Sequence, residues 1–306
     1  MRILVSGASG LVGSALVPAL AGAGHTVGKL VRLGPHRPPG TAGPGDAEWD
    51  LATDHIDDAR IEGTDAVVHL AGANIAGARW TDAFKERIRH SRVDGTRILT
   101  EAIARLDRPP RVLVQASAVG YYGDRGDETV SETSRHGDGF LPAVCVAWEE
   151  AAAPAAARGV RVVLLRFGVV LSARGGALAK MLPAFRLGVA GVIGSGRQWM
   201  PWLAIADAVG MIEHAIANAT LSGPVNAVAP APVTNRAFTK ALGGVLGRPT
   251  VLPLPAFAAR LALGEMADAL LLASVRAVPA RLQASGYAWR HPDLQGALPA
   301  ALADRG

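Results

Sequence analysis

Gly7-Ala8-Ser9-Gly10-Leu11-Val12-Gly13 constrains this chain more than any other stretch. A short apolar run, Arg2 to Ser6, precedes it, and residues 11–23 behind it carry helical spacing. Strand, glycine turn and helix in that order admit few geometries. Gly7 permits the tight turn, Gly10 lets the backbone approach a pyrophosphate, and Gly13 lets helix and strand pack closely. The backbone from Ser9 through Leu11 and Val12 then offers free amides at the helix N-terminus, where the macrodipole favours anions. Three glycines mean little alone in a chain that has 36. The flanking elements carry the reading, and a turn used only for packing is the alternative.

The second apolar strand runs from Thr26 and ends Leu30-Val31-Arg32, with no acid near its tip. A site built for NAD places Asp or Glu there, to accept from the ribose hydroxyls. Arginine instead forks onto a 2′-phosphate and stacks on adenine, so the expected cofactor is NADP, with NAD as the alternative. The bland reading of Arg32 is a solvated side chain. Asp50 and Leu51 after a third strand, and Leu70-Ala71-Gly72 after a fourth, would flank adenine and ribose.

The alternation continues. Apolar strands are expected at residues 66–71, 111–117 and 161–167, with helices over 81–106 and 141–158. Continuous apolar strands separated by helices predict an α/β fold, a parallel sheet covered on both faces. A further helix is expected at 206–218 and a returning strand at 225–228. Helices punctuated by Pro249, Pro253, Pro255 and Pro279 follow from Thr234 onward. The natural division is a nucleotide-binding sheet over 1–225 and a smaller, mostly helical C-terminal lobe over 226–306, with its compact part at about 249–296.

Composition removes several classes. Half of the 306 residues are apolar and 19% are charged, which excludes a disordered chain. One cysteine, Cys145, excludes a disulfide framework and a cysteine zinc site, and fits a reducing cytoplasm. The net charge of +5 is spread along the chain, so no nucleic-acid partner is expected. The apolar run at 3–23 is broken by its glycines, and 251–275 carries Arg260, Glu265 and Asp268. No segment reaches the roughly 18 uncharged apolar residues of a membrane span, and no membrane partner is expected. The eight histidines show no metal spacing, and His69, inside an apolar strand, reads as core.

Longer motifs carry a resemblance. Asp65 to Ile75 (DAVVHLAGANI), Ser91 to Thr96 (SRVDGT), Ser117 to Gly126 (SAVGYYGDRG), Gly139 to Glu149 (GFLPAVCVAWE), Arg166 to Gly176 (RFGVVLSARGG) and Gly194 to Trp202 (GSGRQWMPW) are the matching stretches. They resemble the extended short-chain dehydrogenase/reductase superfamily, and more narrowly its atypical branch of epimerase family proteins, which ends in a small C-terminal domain of unknown function. The resemblance implies a Rossmann-type doubly wound parallel sheet and a bound NADP or NAD. It also implies a small-molecule substrate cleft between sheet and lobe, and a homodimer paired through residues 81–106 and 141–158.

One departure stands out. Superfamily members with known chemistry use a tyrosine and a lysine four residues later; the lysine lowers the tyrosine pKa so that the phenolate can move a proton. This chain has only Tyr121, Tyr122 and Tyr287, and none is followed by a lysine at that spacing. Depending on register, the tyrosine position falls near Leu141 or at Cys145, and the lysine position at Cys145 or Glu149. The superfamily asparagine is matched by Arg92. Ser117 survives.

The catalytic candidates are therefore Ser117, Tyr121 and Tyr122, with Arg125 or Arg92 as the charge that would stabilise a phenolate. Cys145 and Glu149, four apart on one helix face, are next in line. Trp148 reads as core. Arg197, Trp199 and Trp202 suggest a substrate surface with stacking area and one cation. Two functions remain open: an NADP-dependent oxidoreductase or epimerase-like enzyme, and a catalytically idle NADP-binding sensor or scaffold.

Overall fold

The computed structural model describes residues 1–34 and 37–304. Eight strands form one sheet. Across the sheet they run Gly223–Ala227, Arg161–Phe167, Val112–Ala118, Ala66–His69, Arg2–Ser6, Thr26–Arg32, Ala47–Asp50 and His55–Ile56. All neighbours are parallel except the last pair, where Trp49 faces Ile56 in an antiparallel hairpin. Ile3 pairs with Val27 on one side and with Ala66 on the other. The chain therefore starts in the middle of the sheet, winds outward one way through residue 56, and returns to wind the other way. That reversal, between Arg2–Ser6 and Ala66–His69, is where open α/β sheets bind their ligands.

Both faces are sealed, as the continuous apolar strands require. Ile3, Val5, Val68, Val114 and Leu165 pack under the helices Leu11–Gly22 and Ile205–Ala217. Leu4, Val67 and Leu113 pack on the other face under the helix Asp82–Arg105, through Leu99, Ala102 and Ile103. Thr81 caps that helix by accepting from the Phe84 amide at 3.2 Å.

Two expectations need correction. The single helix over 141–158 is two helices, Phe140–Glu150 and Ala153–Ala157, because Pro154 has no amide to donate and its ring clashes with the preceding turn. The returning strand, expected at 225–228, occupies Gly223–Ala227 and forms the edge of the main sheet. The C-terminal region is mostly helical, as expected, and packs onto the sheet domain. Leu282 joins the first core, and Leu298 and Ala301 of the last helix pack with Trp202 and Phe238. Among the described residues no helix is long and apolar enough to cross a membrane.

Candidate functional site

The glycine turn sits at the reversal. Gly7 has φ +66°, and a Cβ there would stand 2.7 Å from the Leu70 carbonyl carbon. A Cβ on Gly13 would be 2.2 Å from the Gly7 oxygen, so helix and turn touch backbone to backbone. The Gly10 amide donates to the Gly7 carbonyl at 2.9 Å and closes the turn. A Cβ on Gly10 would meet only that same carbonyl, leaving its outer side open. Gly10 is also the N-cap of the helix Leu11–Gly22 and supplies no side chain to its first amides. An uncapped N-terminus at a topological reversal fits a dinucleotide diphosphate.

Around this cradle, Ser6 ties the two central strands. Its Oγ accepts from the amides of Leu70 at 3.0 Å and Ala71 at 3.2 Å. It also lies 2.7 Å from His69 Nδ1. His69 is wholly buried, its Nε2 has no partner among the described residues, and burial pushes its pKa down to about 4. It is a neutral core residue only half satisfied in hydrogen bonding. Arg32 is exposed at the strand tip, and its side chain makes no hydrogen bond or ion pair with a described residue. Asp50 is less free, because its carboxylate accepts from the Ala52 amide at 2.9 Å and the Thr53 hydroxyl at 3.2 Å. Leu51 is half-buried against the second core. Gly72 lies under the Arg92 guanidinium, whose Cζ would be 3.2 Å from a Cβ there.

A second cluster stands at the C-terminal edge of the sheet, where Ser117, Arg166 and Asn226 are register partners on three adjacent strands. Equal register puts all three side chains on one face. Ser117 Oγ donates to Glu149 Oε1 at 2.6 Å. Arg166 grips both oxygens of the same carboxylate, at 2.8 and 2.7 Å. Its third contact is the Tyr122 hydroxyl at 3.0 Å, and that hydroxyl donates to Asn226 Oδ1 at 2.6 Å. The Arg166 side chain is 3% exposed. Burial works against its charge, but the bonds and charges of Glu149 and Tyr122 outweigh that and hold the guanidinium above its ordinary pKa.

This geometry divides the tyrosines. Tyr122 is wholly buried, its hydroxyl is engaged with Asn226 and Arg166, and burial raises its pKa. Its place is in the scaffold of the cluster, with no surface turned to a substrate. Tyr121 is half-buried, with Arg166 Cζ 3.4 Å from its ring centroid, and its hydroxyl has no partner among the described residues. Arg125 donates to the Tyr122 carbonyl and pairs with Glu128, and the guanidinium that lies over both tyrosine rings is that of Arg166.

Other candidates fall elsewhere. Cys145 is buried against Gly120, and desolvation followed by the Glu149 charge pushes its thiol up to about 12, far from thiolate reactivity. Trp148 is core, donating to Thr96 at 2.9 Å. The expected stacking surface is largely spent: Trp202 is 1% exposed and donates to Ala231, while Trp199 donates to Asp127 and lies under Arg276. Arg197 remains exposed. The place of Arg166 and Asn226 in this cluster does not stand out in the sequence. The available signal is a lone arginine between the apolar run Val162-Val163-Leu164-Leu165 and Phe167, since such a charge must be paired.

A sheet that reverses at a glycine turn, with a polar cluster where its strands end, defines a dinucleotide-binding α/β protein of the short-chain dehydrogenase/reductase type. The chain belongs to the NAD dependent epimerase/dehydratase family, whose pattern matches residues 3–227. Residues 254–301 match a domain of unknown function, DUF1731. The chain is similar to Epimerase family protein Mb2239 of Mycobacterium bovis, 45% identical over 296 residues that cover 97% of this chain and 96% of that protein. Human epimerase family protein SDR39U1 (isoform 2), solved with NADPH, superposes with a TM-score of 0.88 at 35% identity, covering 99% of this chain and all of that one. A nucleoside-diphosphate sugar epimerase from Corynebacterium glutamicum gives a TM-score of 0.79 at 38% identity, covering 99% of this chain and 58% of that one.

Proposed function

We propose that the chain binds NADP(H) at the Gly7–Gly13 turn and oxidises or reduces a hydroxyl or carbonyl carbon of a small substrate. The Ser117–Glu149–Arg166 cluster stands in for the missing tyrosine–lysine pair. The observation that carries this is the 2.6 Å bond from Ser117 to a carboxylate clamped by a buried arginine, at the strand edge where ligands of this fold arrive. The structure of human SDR39U1 with NADPH supports the cofactor half of the reading. Gly7, Gly10 and Gly13 would admit the diphosphate, Leu11 and Val12 would donate amides to it, and Arg32 would meet the 2′-phosphate. The bound nicotinamide would supply the hydride donor or acceptor.

The chain's own residues handle the proton. In the oxidising direction Ser117 accepts the proton of the substrate hydroxyl as it passes its own to Glu149 Oε1. The reducing direction runs the same transfers backwards. Arg166 orients the carboxylate throughout, and Tyr122 and Asn226 hold Arg166. Tyr121, half-buried beside Arg166, would border the substrate. A panel of carbonyls and secondary alcohols, followed by NADPH absorbance, tests the reading. Ser117→Ala should lower turnover by roughly 10²- to 10⁴-fold, the usual worth of a positioned acid or base, with cofactor affinity unchanged. Full activity in that variant would remove Ser117 from the chemistry. Tight NADPH binding with no turnover on any substrate would favour the idle sensor.

A further inference from the structure

Arg92, Arg161 and Arg166 are each partly or wholly drawn out of water, and the last two are fully used. Arg161 donates to the carbonyls of Ala215, Leu221 and Ile216 at 2.8–3.0 Å. Arg166 has its carboxylate and its tyrosine. Arg92 differs. It is half-buried, yet among the described residues its side chain makes one hydrogen bond, from Nη1 to the Ile88 carbonyl at 3.3 Å, and no carboxylate pairs with it. A guanidinium carries five N–H donors, and a desolvated one is costly to leave without an acceptor.

Its pose is nevertheless fixed. The guanidinium stacks over Trp148 at 5.1 Å, and Trp148 is itself anchored on Thr96. On another side it packs against Gly72, two residues past the Leu70 carbonyl that touches Gly7. Any side chain at Gly72 would push it away. Burial pushes its pKa below the ordinary value, and the titratable group that feels its charge is Cys145, on the helix opposite. An oriented cation without a counter-charge, at the end of a central strand and beside the reversal, is built to meet an anion from outside the chain.

We propose that Arg92 anchors an oxyanion subsite, in which a carboxylate or phosphate carried by the cofactor or by the substrate docks on its fork beside Gly72. The proposal rests on the cofactor and substrate site proposed above and adds a ligand class to it. A substrate-borne anion would make the preferred substrate an acid or a phosphate ester.

Phenylglyoxal labelling of the wild-type chain, read by peptide mass spectrometry, tests this first. Labelling of Arg92 is compared in the apo protein, with saturating NADPH, and with NADPH plus inorganic phosphate or malonate. Protection of about fivefold or more by NADPH alone assigns the anion to the cofactor. Reactivity retained under NADPH but suppressed by phosphate or malonate assigns it to the substrate. In either case Arg92→Gln should weaken the protecting ligand at least about tenfold, the scale of a charge-assisted bidentate contact, and Arg92→Lys should recover part of that. Equal labelling in all conditions, or no labelling even in the apo protein, overturns the proposal. Calorimetry of NADPH run in parallel keeps the two readings apart. Protection by phosphate without NADPH binding would sustain the subsite while removing the cofactor assignment.

Discussion

The glycine turn and the Ser117 cluster sit at the same end of one sheet but are made of different material. The turn is backbone: seven consecutive residues whose work depends on missing side chains, with contacts to Leu70 closer than any Cβ allows. The cluster is side chain: Ser117, Tyr122, Glu149, Arg166 and Asn226 come from five segments, and the Tyr122–Asn226 bond spans 104 positions. A backbone site is broken by adding atoms anywhere in it. A side-chain network is broken by removing a single partner, and more severely, because what remains is buried charge.

The largest effect should follow from halving the buried pair. Glu149→Gln leaves the Arg166 charge with no counter-charge and should cost about 3–5 kcal/mol in urea unfolding. Glu149→Gln combined with Arg166→Met should recover most of that, since a buried pair replaced by apolar groups is often near neutral. A single-variant cost below about 1 kcal/mol would put the cluster on the same tolerant footing as a surface ion pair.

Between the two regions lies His69, bonded to Ser6 at the turn and register partner of Gln115, two residues before Ser117 on its strand. Its folded pKa of about 4 lies below the ordinary 6.5. The unfolded chain therefore takes up the proton first as pH falls. The stabilisation is complete above pH 6.5 and fades towards pH 4, by about 3 kcal/mol at most if the full shift is realised. Unfolding free energies measured at steps across that window should drop more steeply in wild type than in His69→Gln. Parallel slopes would mean that His69 keeps its ordinary pKa.

Smaller effects separate glycines within the first region. Gly13→Ala drives a methyl to within 2.2 Å of the Gly7 oxygen and should destabilise by about 1–3 kcal/mol, the usual cost of overpacking. Gly22→Ala, at the other end of the same helix, meets nothing within 4 Å and should be neutral or stabilising by up to about 1 kcal/mol. Equal melting temperatures for the two variants would show that the turn relaxes freely.

What was legible in the sequence follows the same line. The turn, its flanking strands and the parallel, doubly covered sheet were readable because each element is set by neighbours in sequence: apolar runs for strands, glycines at fixed offsets, helical spacing between them. The order of the strands across the sheet was not, because it is set by which strands pair in the fold. Ser117 was readable as a strand-end residue. The job of Tyr122 was not, because its partners, Arg166 and Asn226, come together only across strands. Trp202 looked like a stacking surface since nothing local shows that Phe238 and Leu298 will cover it. The unpartnered state of Arg92 was invisible for the same reason: absence of a counter-charge is a property of the folded surroundings. The helix break at 151–152 was within reach, since Pro154 is in plain sight.

The cofactor assignment is the claim on which both regions depend, and calorimetric titration of NADPH and NADH into the wild-type chain and Arg32→Ala tests it most directly. Arg32 is exposed and free to meet a 2′-phosphate, so wild type should bind NADPH at least tenfold tighter than NADH. Removing the guanidinium should weaken NADPH by roughly 1.5–3 kcal/mol, the scale of a hydrogen bond to a charged group, and leave NADH nearly unchanged. Equal affinities for the two cofactors in wild type, or an Arg32→Ala variant that keeps its preference, would contradict the account.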